Sequence, residues 1–238
     1  GGGCEHMGNF PTFPVKGKLK MSPDNILNYR INISEEKGHA GYYEAMVQED
    51  IKAKLTVTER TGMASYEYPA DQQYGTVIIG GGISATPIEQ AAIVITAPNK
   101  CEGYAEGGNF CGLRTPYKVY FVAEFDTDAL ESGTWKRNEL KPNTTFAEGE
   151  YSGVYFTFDV NKKKNIQYKI GVSYVSVENA RENLKAENTG WDFLQIQNQA
   201  EEQCISKSGS MHQHHDIYRR SFIEQHQRRG GKQSGTEG

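Results

Sequence analysis

The sequence lacks any stretch of about 20 apolar residues, which excludes a membrane-spanning helix of the usual kind. No basic segment followed by an apolar one opens the chain, as a secretory signal peptide would. The chain opens instead on glycines and Cys4 without a methionine, as expected of a mature or truncated product. We therefore expect no membrane span, and the missing signal leaves the compartment open.

The chain also lacks an excess of basic residues. The chain carries 26 Lys and Arg against 30 Asp and Glu, a net charge of −4. Residues 205–238 hold six of the basic and three of the acidic residues, so the rest is more acidic than the total. An acidic body repels a phosphate backbone. We expect no nucleic-acid partner.

Cysteine is sparse, and its four positions show no CxxC or zinc-ribbon spacing. Cys101 and Cys111 would pair across a loop in an oxidising compartment, or remain buried free thiols. Spacing alone does not decide between these alternatives.

Alternation of apolar and polar residues dominates the sequence from Asn25 to Val175, with Gly, Pro and Asn clusters between the alternating runs. Ile51, Ala53, Leu55 and Val57, for example, share one face. About nine strands without intervening helices favour an antiparallel β-sandwich over a parallel sheet. The predicted strands are residues 26–33, 41–47, 51–60, 64–68, 76–79, 92–96, 117–125, 151–158 and 166–174.

The pattern becomes helical at Ser176, a capping residue followed by Val177, Ala180 and Leu184 at helical spacing. This predicts a helix over 176–187 and a second from Phe193 to about 204. The sequence thus divides into a β-sandwich domain (1–175), a helical linker (176–204) and a tail (205–238). The tail has the composition of a disordered segment.

Two short segments contain groups suited to ligand binding. His212, His214, His215 and Asp216 could converge on a transition metal, but a disordered polar tail is the simpler interpretation. The opening glycines allow a close approach of the backbone to a ligand, but a tight surface turn is the simpler interpretation.

Aromatic and acidic side chains supply further candidates. Tyr42, Tyr43, Tyr104 and Trp135 would stack on sugar rings if exposed, although packing within strands is the simpler interpretation. The carboxylates considered for acid–base chemistry are Glu102 and Glu106, in what reads as a Gly-rich loop, and Asp126. Solvated loop charges are the simpler interpretation for them.

The run IGVSYVSVENARENLKAENTGWDF at 170–193 resembles the N-terminal domain of glycoside hydrolase family 92, the calcium-dependent exo-α-mannosidases. Three other segments agree in order: GC at 3–4 with GNFP at 8–11, GYY at 41–43 with IKAKLTVTER at 51–60, and GNFCG at 108–112 with YKVYFVAEFD at 117–126. The resemblance covers residues 1–204.

This resemblance implies a galactose-mutarotase-like supersandwich that packs against an (α/α)₆ catalytic domain, which is missing here. The mannose site would lie between the two, with Gly3 and Cys4 as substrate-binding residues. The acid, the base and most calcium ligands would come from the helical domain, so no catalytic or metal residue is assigned to this chain. The implied enzyme inverts configuration at terminal α-linked mannose of glycans, outside the cytoplasm. The chain alone would be inactive.

After Cys204 the sequence departs from the family pattern, and we hypothesise a foreign or out-of-frame ending from about residue 205. The main alternative to the mannosidase fragment is a stand-alone carbohydrate-binding or structural β-sandwich module. The apolar stripes of the linker helices favour the fragment, because a free module has no use for them.

Overall fold

A computed structural model describes residues 8–23, 32–83, 88–108 and 115–207. These residues form fourteen strands followed by two helices. The elements are β1 (Thr12–Lys16), β2 (Ile33–His39), β3 (Tyr42–Val47), β4 (Ile51–Val57), β5 (Thr61–Glu67), β6 (Tyr74–Gly80), β7 (Ile88–Ala97), β8 (Lys100–Gly107), β9 (Tyr117–Phe125), β10 (Glu131–Lys136), β11 (Glu139–Pro142), β12 (Phe146–Glu148), β13 (Ser152–Asp159), β14 (Asn165–Ser173), α1 (Val177–Glu187) and α2 (Phe193–Lys207).

The strands form two antiparallel sheets that pack face to face. One has five strands in the order β1-β6-β13-β10-β11, and the other has nine in the order β12-β7-β8-β9-β14-β5-β4-β3-β2. The main core lies between them and includes Phe121, Phe125 and Ile166 of the larger sheet and Phe156 and Phe158 of the smaller. The predicted β-sandwich is therefore confirmed.

Period-two alternation selects which side chains enter this core. Ile51 and Ala53 of β4 are buried in it and Leu55 packs against it, as predicted, while Val57 is only half-buried. Along β8 the inward positions carry small side chains, among them Cys101 and Ala105. The larger sheet thus keeps one face in the core and turns the other outward.

The structure contains more strands than the nine predicted. The predicted strand 26–33 overlaps β2 only at Ile33, and 26–31 lie outside the described residues. β2 is an edge strand of mostly exposed, charged residues, and β8 has glycine and alanine at inward positions, so neither shows a clear apolar alternation. The strands that the pattern missed are β1, most of β2, β8, β10, β11 and β12.

Both predicted helices are present on the outer face of the nine-stranded sheet. Ser176 caps α1 by accepting a hydrogen bond from the Asn179 backbone N–H at 3.1 Å. Ala180 and Leu184 of this helix pack on Val122 of β9. α2 lies over β3, β4 and β5, and it continues to Lys207, three residues beyond the predicted end.

The turn between β2 and β3 fixes the position of α2. Gly41 has φ +79°, and a β-carbon there would lie 2.9 Å from the Ala200 β-carbon and 3.0 Å from the Glu201 backbone nitrogen. Only glycine satisfies both the left-handed backbone and this close approach of turn and helix.

We expect Gly41→Ala to destabilise the fold by more than Gly17→Ala does. Gly17 is the matched control, because its φ is +73° and nothing lies within 4 Å of the position of its β-carbon. Each change should cost about 1–2 kcal/mol for the left-handed backbone, and Gly41→Ala about 1–3 kcal/mol more for the clash with α2. Urea unfolding monitored by circular dichroism measures both. Equal losses would show that α2 does not press on this turn.

Candidate functional site

One end of the sandwich, here called the loop end, brings together several chain segments. It comprises residues 8–10, 80–83, 88, 107–108 and 115–117. Ile88 pairs with Gly107, and Gly107 pairs in turn with Tyr117. The Gly80 backbone N–H donates to the Pro11 carbonyl at 2.9 Å, which joins the smaller sheet to the segment before β1.

Asn9 and Phe10 anchor the first described segment at the loop end. The buried Phe10 ring packs on Phe121 with 4.1 Å between ring centroids. The Tyr117 hydroxyl donates to Asn9 Oδ1 at 3.0 Å, whereas Asn9 Nδ2 is buried and has no acceptor among the residues that the structure describes. Buried amide donors are normally paired, so this N–H₂ group is suited to donate to a ligand oxygen such as a sugar hydroxyl.

The predicted substrate-binding residues Gly3 and Cys4 lie outside the described residues. The described chain begins at Gly8, which has φ +80° and leads directly into Asn9. Their role therefore stays a prediction. Sequence reasoning passed over Asn9, because its buried orphan donor arises only from the packing of Phe10 and Tyr117 around it.

The predicted carboxylates do not face one another across a cleft. Glu102 and Glu106 lie on β8 rather than in a loop, which corrects the prediction. Glu102 accepts a hydrogen bond from Arg181 of α1 at 2.7 Å, and Glu106 lies 3.5 Å from the Lys118 ammonium. Asp126 is nearly buried and lies 2.6 Å from Lys163. Each carboxylate thus neutralises a neighbouring cation.

Trp135 is unavailable to a sugar because it is 1% exposed. It lies in a second apolar cluster on the outer face of the five-stranded sheet with Phe13, Val15, Ile78 and Tyr155. The packing interpretation of Trp135 is therefore confirmed.

The three candidate tyrosines have different surroundings. The Tyr42 ring stacks on His39 and meets Phe193 of α2 edge-on, and its hydroxyl donates to Glu44 at 2.8 Å. Partial burial, helped by this hydrogen bond, raises the pKa of Tyr42 to about 12. The Tyr43 hydroxyl donates to Glu36 at 2.9 Å. Tyr104 is on the outer face of the nine-stranded sheet, where the Lys118 ammonium lies 3.8 Å from its ring centroid.

Cys101 is a free thiol buried in the main core, in agreement with the buried-thiol alternative. Burial raises the pKa of this thiol far above its ordinary value, since the thiolate would have no solvent. Cys111 lies outside the described residues, as does the predicted metal cluster at 212–216. Within the described ranges, no group of three or more His, Cys, Asp or Glu side chains could hold a metal ion.

A polar cleft of about 350 Å³ opens where the turn between β4 and β5 meets both helices. The Glu187 carboxylate forms its wall, and accepts hydrogen bonds from Thr58 Oγ1 at 2.6 Å, the Arg60 backbone N–H at 2.9 Å and Arg60 Nε at 2.5 Å. Burial alone would raise the pKa of Glu187, but these donors outweigh it and hold the pKa below its ordinary value. Glu187 therefore joins the end of α1 to the turn between β4 and β5. Its carboxylate is fully occupied by these hydrogen bonds.

A buried lysine lies beneath the connection between the helices. The Lys169 ammonium of β14 donates to the Asn188 carbonyl at 3.1 Å and lies 4.4 Å from the centroid of the Trp191 ring. Burial lowers the pKa of Lys169, although Glu124 at 3.9 Å favours the charged form. The Asn188 side chain is completely buried, and neither of its polar atoms has a partner within residues 8–23, 32–83, 88–108 and 115–207. The alternating pattern of β14 places Lys169 on the outward face, where the sequence predicts a solvated side chain. The sequence alone could therefore not reveal that this lysine is buried.

Residues 1–173 match the family model described as the glycosyl hydrolase family 92 N-terminal domain. Fold and family model together define a domain of a glycosyl hydrolase. The chain belongs to family 92, of which it carries the N-terminal domain. The resemblance found in the sequence is thereby confirmed.

Relatives agree with this assignment. An uncharacterized secreted glycosidase of Arthroderma benhamiae is 23% identical over an alignment of 250 positions. This alignment covers 93% of this chain and 32% of the relative. A family GH92 inverting mannosidase from Bacteroides thetaiotaomicron has a TM-score of 0.72 at 22% identity, with 86% of this chain and 28% of that one covered. A family GH92 α-mannosidase from the same bacterium, in complex with mannoimidazole, has a TM-score of 0.73 at 22% identity and the same coverage. The chain thus spans about a third or less of the length of these relatives.

No helix in the described part of the chain is both long and apolar enough to cross a membrane.

We expect Glu187→Gln to destabilise the chain by about 1–2 kcal/mol at pH 7, because it removes a charged acceptor from three donors. The folded-state pKa of Glu187 is lowered, so its contribution is full above the ordinary carboxyl range and is lost as pH falls through the folded pKa. Urea unfolding of wild type and variant at pH 7, 5 and 3 should show the difference shrinking at the acidic end.

Glu182→Gln is the control for this pH series, since Glu182 is an exposed residue of the same helix. It should change stability little at any of the three pH values. If Glu187→Gln lowers the free energy of unfolding as much at pH 3 as at pH 7, the role given to the carboxylate charge is contradicted.

Proposed function

We propose that this chain is the N-terminal domain of an inverting exo-α-mannosidase that acts on terminal α-linked mannose of glycans. The family match over residues 1–173 carries the proposal. It is supported by the likeness in fold to two solved mannosidases, one of them described as inverting and the other bound to mannoimidazole.

The described residues favour a supporting role in catalysis. An inverting glycosidase needs a carboxylic acid and a carboxylate about 6.5–9.5 Å apart, with room for water between them. Glu102, Glu106 and Asp126 are each engaged by a neighbouring cation. The acid and the base would therefore come from an (α/α)₆ catalytic domain beyond this chain.

At the loop end this chain would help to form the mannose site. Asn9 Nδ2 offers a buried donor that no described residue accepts from, and Asn9 follows closely after Gly3 and Cys4 in the sequence. A donor fixed by Tyr117 and Phe10 would orient a sugar hydroxyl without reorganising on binding. The proposed contribution of this domain is thus to position the mannose, with the proton transfers performed elsewhere.

Calcium, which the family resemblance implies, does not fit the described residues. They contain no group of three or more acidic, His or Cys side chains that could hold a metal ion. Following the family resemblance, the proposal places the calcium ligands of the complete enzyme mostly outside this chain. It also places the enzyme outside the cytoplasm, in line with the relative described as secreted.

We expect no hydrolysis of an aryl α-mannoside by the purified 238-residue chain, with or without added calcium, since the proposed acid and base lie elsewhere. A chromogenic assay of released aryl alcohol measures this, and a full-length family 92 α-mannosidase serves as the positive control. Turnover by the chain alone would contradict the division of labour.

The alternative function, a stand-alone carbohydrate-binding module, gains some support from the directly paired, half-buried Tyr104 and Tyr120 of the large sheet. Calorimetric titration of the same chain with α-mannobiose and with mannan separates the two. A domain that completes its site only with a second domain should show no saturable binding at millimolar sugar. Saturable binding would favour the binding module.

A further inference from the structure

Two triplets of the form Asn-X-Ser/Thr, with X other than proline, occur in the sequence. They are Asn32-Ile33-Ser34 and Asn143-Thr144-Thr145. Such a triplet is the acceptor motif for N-linked glycosylation when it lies on the surface of a secreted protein. Asn32 borders residues 24–31, which lie outside the described residues. The triplet at Asn143 lies entirely within residues 115–207, so its surroundings in the chain are described on both sides.

Asn143 lies in the turn between β11 and β12, and all three residues of its triplet are exposed. The Asn143 backbone N–H donates to the Ser132 carbonyl at 3.0 Å, which fixes the turn on β10. No described residue forms a hydrogen bond with the Asn143 side-chain amide. The amide nitrogen that would accept a glycan is therefore accessible and unengaged within the described part of the chain.

The conformation of the turn gives an alternative reason for this asparagine. Asn143 has φ +59°, and asparagine adopts the left-handed region at lower cost than most residues. That reason does not extend to Thr145. The Thr145 backbone carbonyl accepts from the Ile95 N–H at 2.8 Å, whereas its hydroxyl bonds to no described residue. The hydroxyl that the acceptor motif requires thus has no structural role among the described residues.

Thr144 provides the contrast within the same triplet. Its Oγ1 lies 2.7 Å from Thr134 Oγ1, so this hydroxyl holds the turn to β10. The turn therefore uses the hydroxyl at the position that the acceptor motif leaves free to vary, and leaves unused the one that the motif requires.

We propose that Asn143 carries an N-linked glycan, an inference that rests on the location outside the cytoplasm given under the proposed function. Asn143 Nδ2 would form a bond to the anomeric carbon of an oligosaccharide that is carried on a lipid diphosphate. The bond from that carbon to the diphosphate oxygen breaks, and the lipid diphosphate leaves with the electron pair. The amide nitrogen gives up one proton.

The glycan would stand where an edge of each sheet meets the other. β11 is the last strand of the five-stranded sheet, and β12 is the first strand of the nine-stranded sheet. A free edge offers unpaired backbone groups to another chain, and a bulky glycan beside it blocks that approach. The glycan at Asn143 thus shields both edges. Phe146 of β12 is 55% exposed close to Asn143 in the sequence, so its accessibility reports where the glycan lies.

The 238-residue chain, secreted from yeast cells behind a signal peptide, tests the attachment site. Peptide N-glycosidase F removes the glycan and leaves aspartate in place of the modified asparagine. Mass spectrometry of the tryptic peptides should then show this conversion at Asn143, separately from any conversion at Asn32. An unmodified Asn143 in the secreted, folded chain would overturn the proposal.

Variants of the triplet separate the acceptor role from the role of the turn. Asn143→Asp keeps a residue that tolerates the left-handed backbone but removes the amide, and Thr145→Val removes the hydroxyl with little change in shape. We expect both to abolish the glycan at residue 143, and Thr145→Ser to retain it. Asn161→Gln is the control, since Asn161 is an exposed turn residue outside any such triplet. Modification of Asn143 that survives Thr145→Val would contradict the assignment.

Hydroxyl-radical footprinting of the glycosylated chain and of Asn143→Asp tests the shielding. Oxidation of Phe146 should be about threefold slower in the glycosylated chain, because the attached sugars are bulky. Leu194 of α2 is 62% exposed and lies on the helix over β3, β4 and β5, so it should react equally in both. Equal oxidation of Phe146 would overturn the shielding of the β12 edge.

These results do not depend on mannosidase activity. A complete enzyme that fails to hydrolyse α-mannosides would reject the proposed function, whereas the occupancy of Asn143 is read from the peptide itself. The two failures are therefore distinguishable.

Discussion

The contact between aromatic rings around Phe125 is the interaction on which the rest of the structure depends. The ring centroid of Phe125 in β9 lies 4.9 Å and 5.0 Å from those of Phe156 and Phe158 in β13, and 5.3 Å from that of Tyr168. These rings join the two sheets through a core that excludes water. With the inner faces fixed together, every strand of the large sheet has a defined outer face, and both helices lie on that face.

Polar contacts act together with the apolar packing of Ala180 and Leu184 on Val122 to fix the helices on that outer face. Glu187 holds the end of α1 to the turn after β4, and Lys169 lies beneath the connection to α2. Gly41 allows the close approach of α2, since a β-carbon there would lie 2.9 Å from the Ala200 β-carbon. Removing one partner of a buried charge leaves the other without compensation, so these few contacts determine the direction in which the chain leaves the sandwich.

Much of this fold could be predicted from the sequence, because strands such as β4 and β9 alternate strongly and Ser176 is a clear helix cap. β8 was missed because its inward residues are small, so Glu102 and Glu106 were assigned to a loop. The sites at Asn9, Lys169 and Glu187 had no local signal, since each depends on residues far away in the chain. Gly3 and Cys4 could be assigned only by family resemblance, and their role stays a prediction.

The central claim is that this β-sandwich is the first domain of a longer mannosidase. Reading the coding DNA downstream of codon 204 in all three frames tests it most directly. The account predicts that one frame encodes a long helical continuation containing the acid and base carboxylates. If no frame encodes such a continuation, the claim is contradicted, and the chain is better explained as a carbohydrate-binding module.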